Sequence, residues 1–159
     1  MKCELYTPAF DKAVKNYQLA DTTHTGNPKQ VLARCQTDAA RFPVMILDKD
    51  RMLGFFCLHW LKSQEMYGFQ GRNTVLLRGF SIDDRYQGKG IAASALTGLF
   101  DFIARTINPE ITRGVLAVNA ENIHAQKAYQ KAGFQTLPRT FDGKIGKLVL
   151  MEKNKPKAL

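Results

Sequence analysis

Cysteine is scarce: the chain has three, Cys3, Cys35 and Cys57, far apart and with no CxxC pair. That count excludes a disulfide frame and a zinc ribbon, and it suits buried thiols in a reducing compartment. Long apolar runs are missing too. The longest, LGFFCLHWL (53–61), is far short of the ~20 residues that span a bilayer. The opening MKCELYTPAFDKAV has no apolar core of a secretory signal. The expectation is a cytoplasmic protein with no membrane partner. Clusters of Arg and Lys interleaved with aromatics are also absent, so no nucleic-acid partner is expected. This holds although 23 Lys+Arg face 14 Asp+Glu, for a net charge of +9 and a pI near 9.6. The charge is spread, and only the tail EKNKPKAL is dense. A solvated basic surface with one anion site accounts for it.

What is present reads as a single α/β domain over residues 1–159, with a core built from 45% hydrophobic residues. KCELYT predicts a strand. Phe10, Ala13, Val14 and Tyr17 recur at helical spacing and predict a helix over 9–20. Asn27-Pro28 opens a second helix running through Phe42. PVMILD and RMLGFFCLHW bracket DKD as a hairpin, and TVLLRGFSID is a third strong strand. One helix is expected from Gly90 to about Arg105, then a strand over 114–120 and a helix over 122–133 ended by Gly133. Asp142-Gly143 marks a final hairpin turn.

The stretch IDDRYQGKGIAASAL sets glycines between a strand and a helix, where backbone N–H groups can face an anion together. A P-loop is excluded, because Asp83 stands where its first glycine belongs and Gly90 follows Lys89. A dinucleotide fingerprint is formally met by Gly88, Gly90 and Ala93. However, DRYQ separates the strand from the glycines, and too little chain remains for a doubly wound sheet.

Two motifs together resemble the GNAT acetyltransferase superfamily, the acetyl-CoA-dependent N-acetyltransferases. Its signature Q/R-x-x-G-x-G/A is matched by Gln87, Gly90 and Ala92, with Gly88 at the usual extra glycine. A second signature is matched, in the right order, by Asn122, Ala125, Tyr129, Gly133 and Phe134. The resemblance covers residues 74–151 well, which form the cofactor-binding core, and the first 73 only by element order. It implies a mixed, twisted sheet flanked by helices, with acetyl-CoA bound at splayed central strands and no metal.

On that resemblance, backbone N–H groups from Gln87 through Gly88, Lys89, Gly90 and Ile91 to Ala92 hold the pyrophosphate. Lys89 adds a cation there or is simply a solvated lysine. Phe80, Ser81 and Ile82 are the strand residues whose backbone meets the pantetheine arm and polarises the thioester, and Gly79 is compatible with a bulge there. Asn122 bonds the pantetheine arm, caps the helix that follows, or does both. Tyr129 is the acid for the departing thiolate, since a phenol near ~10 can protonate a thiolate whose thiol is near ~8.5. Its other reading is packing on the apolar stripe of its helix.

No carboxylate occurs in TVLLRGFSI to act as base. Glu65, His59 and His124 qualify by chemistry alone, with His59 reading better as a packed residue, and a water chain to solvent is preferred to all three. Cys57 carries no signal of a His-Cys pair, so direct transfer is favoured over a covalent route. The acceptor, a primary amine of a small molecule, is expected among the first helices, loop 21–28 and linker 62–73. A strongly cationic amine would be repelled by the net charge. A protein or peptide amine as acceptor, another acyl-CoA donor and a CoA-binding module without turnover remain as alternatives. So does the oligomeric state, a homodimer included.

Overall fold

The computed structural model describes residues 1–157, the side chains of 62–64 excepted, so the last two residues of the basic tail lie outside it. Its strands are β1 (Lys2–Leu5), β2 (Arg41–Asp48), β3 (Arg51–Trp60), β4 (Thr74–Ile82), β5 (Arg113–Asn119), β6 (Gln135–Gly143) and β7 (Gly146–Asn154). They form one mixed seven-stranded sheet in the order β1-β2-β3-β4-β5-β7-β6, in which only β4 and β5 are parallel. The helices are α1 (Asp11–Lys15), α2 (Pro28–Cys35), α3 (Ile91–Thr97), α4 (Leu99–Thr106) and α5 (Ile123–Lys131).

β2 and β3 are buried on both faces, and their alternation sorts the core into two halves. Val44, Ile46, Phe56 and Leu58 pack with α3, α4 and α5 through Leu96, Phe102, Ile103 and Tyr129. Met45, Leu47, Phe55 and Cys57 face the other way, toward Val31 of α2 and Phe10, Val14 and Tyr17 near α1. A third cluster, Phe69, Leu76, Val115 and Leu150, fills that second face beside the linker.

Four local expectations need correction. α1 is cut short because Gln18 spends its amide on Asp83 and its carbonyl on the Asp84 amide. α2 stops at Cys35, since Asp38 makes a turn that hands Arg41 and Phe42 to β2 opposite His59 and Leu58. The long helix is two: Lys153, on β7, donates to the carbonyls of Leu96 and Thr97 and ends α3 ahead of Gly98. The last hairpin pairs Gly143 with Gly146, so its tip is Lys144-Ile145 and not Asp142-Gly143.

Candidate active site

The sheet opens where the two signatures meet. β4 and β5 pair with each other only over Thr74–Leu76 and Arg113–Val115; beyond that each runs on paired only to its other neighbour, β4 to β3 and β5 to β7, as far as Ile82 and Asn119. One cause lies in β4 itself. Its register against β3 steps from Arg78↔Cys57 to Ser81↔Phe55, which leaves one extra residue on β4. Gly79 sits at that bulge with φ +63, and a Cβ there would come within 2.9 Å of Val31. The expected bulge is therefore present, and only glycine fits it.

A cavity of about 800 Å³ occupies the opening. Its walls are the loop 19–25, β4 from Leu77 to Ile82, the glycine loop, the end of β5, and α5. Every site residue expected from sequence lines it: Phe80, Ser81, Ile82, Gln87, Gly88, Lys89, Gly90, Ile91, Ala92, Asn122 and Tyr129.

Gly88 (φ +76) and Gly90 (φ +72) are left-handed, and a Cβ on either would meet nothing within 4 Å. The requirement is thus the backbone conformation, with open space above it. The Gln87 side chain fixes the loop by donating to the Ile82 carbonyl and to Asp84. The first bond of α3 runs from Ser94 N–H to the Gly90 carbonyl, so the amides of Ile91, Ala92 and Ala93 have no acceptor within the helix. This suits an anion such as a pyrophosphate.

Across the opening, Asn122 caps α5, its side chain accepting from the Ala125 amide. Tyr129 lies one face along, edge-on to Phe80 (5.8 Å) and Phe134 (5.9 Å), with Phe80 stacked on Phe56 at 5.4 Å. Both readings of Tyr129 hold in part. It belongs to the core cluster, yet it lines the cavity and its hydroxyl has no hydrogen-bond partner among the described residues. Burial pushes the phenol up, so it is protonated at neutral pH.

The opposite face carries residues the sequence did not single out. Asp83 is fully buried and accepts from the Gln18 amide, the Arg85 amide and the Arg85 guanidinium at 2.8–2.9 Å. Burial raises its carboxyl, but the bonds from Arg85 and Gln18 outweigh this and hold it below the usual range. With the Asp84 carboxylate on the Ala20 amide, it ties the start of loop 19–25 to the end of β4. Tyr17 and Ser81 share a hydroxyl bond of 2.8 Å beneath that loop. A strand-end carboxylate followed by Arg two residues later was the available signal.

Of the base candidates, only His124 lines the cavity; Glu65 is exposed on the linker, and linker 62–73 contributes no cavity wall among the described residues. Its Tyr67 and Phe69 pack instead with Phe141, Leu76 and Leu150. His59 is buried with both ring nitrogens engaged: Arg78 donates to Nδ1 (3.2 Å), which places the proton on Nε2, facing Asp38 at 2.9 Å. Burial and then the Arg41 and Arg78 charges hold it neutral. Cys57 is buried, its thiol pushed up by contact with Cys35 and by burial.

The family model described as the acetyltransferase (GNAT) family matches residues 6–134. YbbJ of Bacillus subtilis (strain 168), named an uncharacterized N-acetyltransferase, is 32% identical over 150 residues, 92% of either chain. The spermine/spermidine N(1)-acetyltransferase of the same organism is 33% identical over 93 residues, 58% of this chain and 59% of that one. Among solved structures, aminoglycoside acetyltransferase AAC(6')-Ib in complex with coenzyme A and kanamycin superposes with a TM-score of 0.76 at 16% identity. That match covers 96% of this chain and 94% of that one. A Bacillus subtilis acetyltransferase in complex with CoA gives 0.63 at 14% identity, covering 96% and 97%. Split sheet, glycine loop and capped α5 thus coincide with the family match, and the chain belongs to the GNAT acetyltransferase family as an acetyl-CoA-dependent N-acetyltransferase.

Proposed function

We propose that the chain moves an acetyl group from acetyl-CoA to a primary amine of a small molecule, by direct attack within a ternary complex. The observation that carries this is the opening between β4 and β5, which runs from the glycine loop to the Tyr129 ring. Acetyl-CoA supplies the activated thioester. Amides from Gln87 to Ala92 hold its pyrophosphate, and Lys89 adds a nearby positive charge. Backbone groups of Phe80, Ser81 and Ile82 on the side of β4 that β5 leaves unpaired bond the arm and the thioester oxygen. Asn122 bonds the arm while capping α5. Tyr129 holds a proton at Oη for the departing sulfur.

Among the described residues neither histidine suits the role of base: His59 has both nitrogens engaged and His124 is exposed beside the cofactor wall. The proton of the attacking amine therefore leaves through water at the open end. Cys57, protonated against Cys35 below the sheet, does not suit a covalent route. Three free thiols fit a cytoplasmic site of action.

The test is an amine panel with acetyl-CoA, following free thiol and acetylated product together. Acetyl-CoA binding with product from at least one small amine is the expected result. Binding with no thiol release from any small amine or peptide would make the chain a CoA-binding module instead.

A further inference from the structure

We propose that the acceptor amine also carries a carboxylate, and that Arg78 is the residue that selects it. This rests on the amine-transfer reading above and deepens it.

Arg78 is the β4 residue immediately before the bulge glycine, and it lines the cavity. Phe80 and Ile82 pack toward α3 and α5 with the cofactor wall. Arg78 lies opposite Cys57, whose side chain faces α2, and it meets His59 on that side. It therefore stands on the face expected for the acceptor, across the strand from the thioester position.

Its surroundings are short of negative charge. The guanidinium is half-buried, and its one hydrogen-bond partner among the described residues is the neutral Nδ1 of His59. Arg41 and Arg34 are the neighbouring cations that act on it. Asp38 is the nearby carboxylate, and it is already committed to His59 at 2.9 Å, to Arg41 at 3.3 Å and to the Ala40 amide. Arg78 thus reaches the cavity wall as a fork of five donors with one in use. The chain Asp38–His59–Arg78 holds that fork in place without neutralising it. A planar guanidinium held this way matches a carboxylate in two parallel bonds. A polyamine would meet a fixed positive charge there. The two acids on the cavity wall are held elsewhere, Asp84 by the Ala20 amide and the Gln87 side chain and Asp21 by the Thr23 amide, and Lys89, Lys127, Lys131 and Lys144 on the same wall outnumber them.

The experiment uses matched amines that differ only in a carboxylate or its primary amide, over several chain lengths. They are compared on the full chain, on Arg78→Met and on Arg78→Lys. Two readouts run in parallel: thiol release with acetyl-CoA, and the melting temperature of the CoA-saturated protein with each ligand. The acid is expected to exceed its amide about 10-fold to 100-fold in kcat/KM, the range of a hydrogen bond to a charged group. It should also raise the melting temperature more. Arg78→Met should bring both contrasts close to unity, and Arg78→Lys should restore part of them, with CoA binding unchanged in each. Equal acid and amide in the parent protein, a preference for polyamines, or a contrast that survives Arg78→Met overturns the inference. Because the melting comparison needs no turnover, a silent thiol assay counts against the transfer reading, while the acid–amide shift still decides the role of Arg78.

Discussion

The two sides of the split sheet are built by different means. The proposed cofactor side is built from backbone: two left-handed glycines, a bulge at Gly79, amides at the start of α3 and a capped α5, all within residues 79–131. The proposed acceptor side draws on side-chain charge gathered from separate segments, with Asp38, His59, Arg78 and Asp83 each on its own turn or strand. A backbone site tolerates change in most side chains and fails when a glycine is lost. A charge site keeps its scaffold through substitution and changes what it accepts. The first is suited to a constant ligand and the second to a variable one.

The largest effect should come from breaking the backbone side. Gly88→Val with Gly90→Val forces β-branched residues into left-handed φ, and acetyl-CoA should no longer raise the melting temperature. The unliganded protein should stay folded but melt lower, because the φ strain is confined to one loop and both Cβ positions face open space; circular dichroism and the melting curve check that. An undiminished shift would mean that the pyrophosphate sits elsewhere.

Tyr129→Phe comes next. Its ring contacts with Phe80 and Phe134 persist, so stability and acetyl-CoA affinity should barely change. The value of kcat should fall about 10²-fold, the low end for a lost general acid. Turnover within twofold of the parent, with product release shown not to be limiting, would leave Tyr129 as packing alone.

Asp83→Asn tests how the acceptor side is held. Losing charged hydrogen bonds in a buried position should cost about 2 to 3 kcal/mol of stability. It should also raise the acceptor KM more than the acetyl-CoA Kd, because one of the ties at the start of loop 19–25 is weakened while that of Asp84 to Ala20 remains. The pH dependence follows from the sign of the shift. The folded carboxyl lies below its unfolded value near ~3.9, so its contribution is complete above that pH and is lost as pH falls through the folded value. Urea midpoints across acid pH should show a shallower decline in Asp83→Asn than in the parent.

The smallest effect belongs to Asn122→Ala, about 1 kcal/mol for a lost N-cap. If Asn122 also bonds the pantetheine arm, the acetyl-CoA Kd rises as well; a change in stability alone would leave it a cap.

This contrast also explains what the sequence made legible. Gln87, Gly88, Gly90, Asn122 and Tyr129 lie in two short, contiguous motifs, because backbone geometry is written locally in glycines and caps. The hairpin of β2 and β3 was equally plain from its double-sided apolar runs. The Arg78–His59–Asp38 chain was not visible, since three residues spread over 41 positions meet only through strand register. The helix ends failed for a related reason. Gln18 leaves α1 for a carboxylate 65 residues away, and α3 is stopped by Lys153 from β7, 56 residues beyond Thr97. Helical periodicity carries no trace of such distant partners.

The most direct test of the central claim, that one side binds the cofactor by backbone and the other chooses the amine by charge, is calorimetric titration with acetyl-CoA. It would be run on the parent, on Gly88→Val/Gly90→Val and on Arg78→Met. The account predicts no measurable binding to the glycine variant and a Kd within twofold of the parent for Arg78→Met. Parent-like binding by the glycine variant, or an equal loss in both variants, would contradict it.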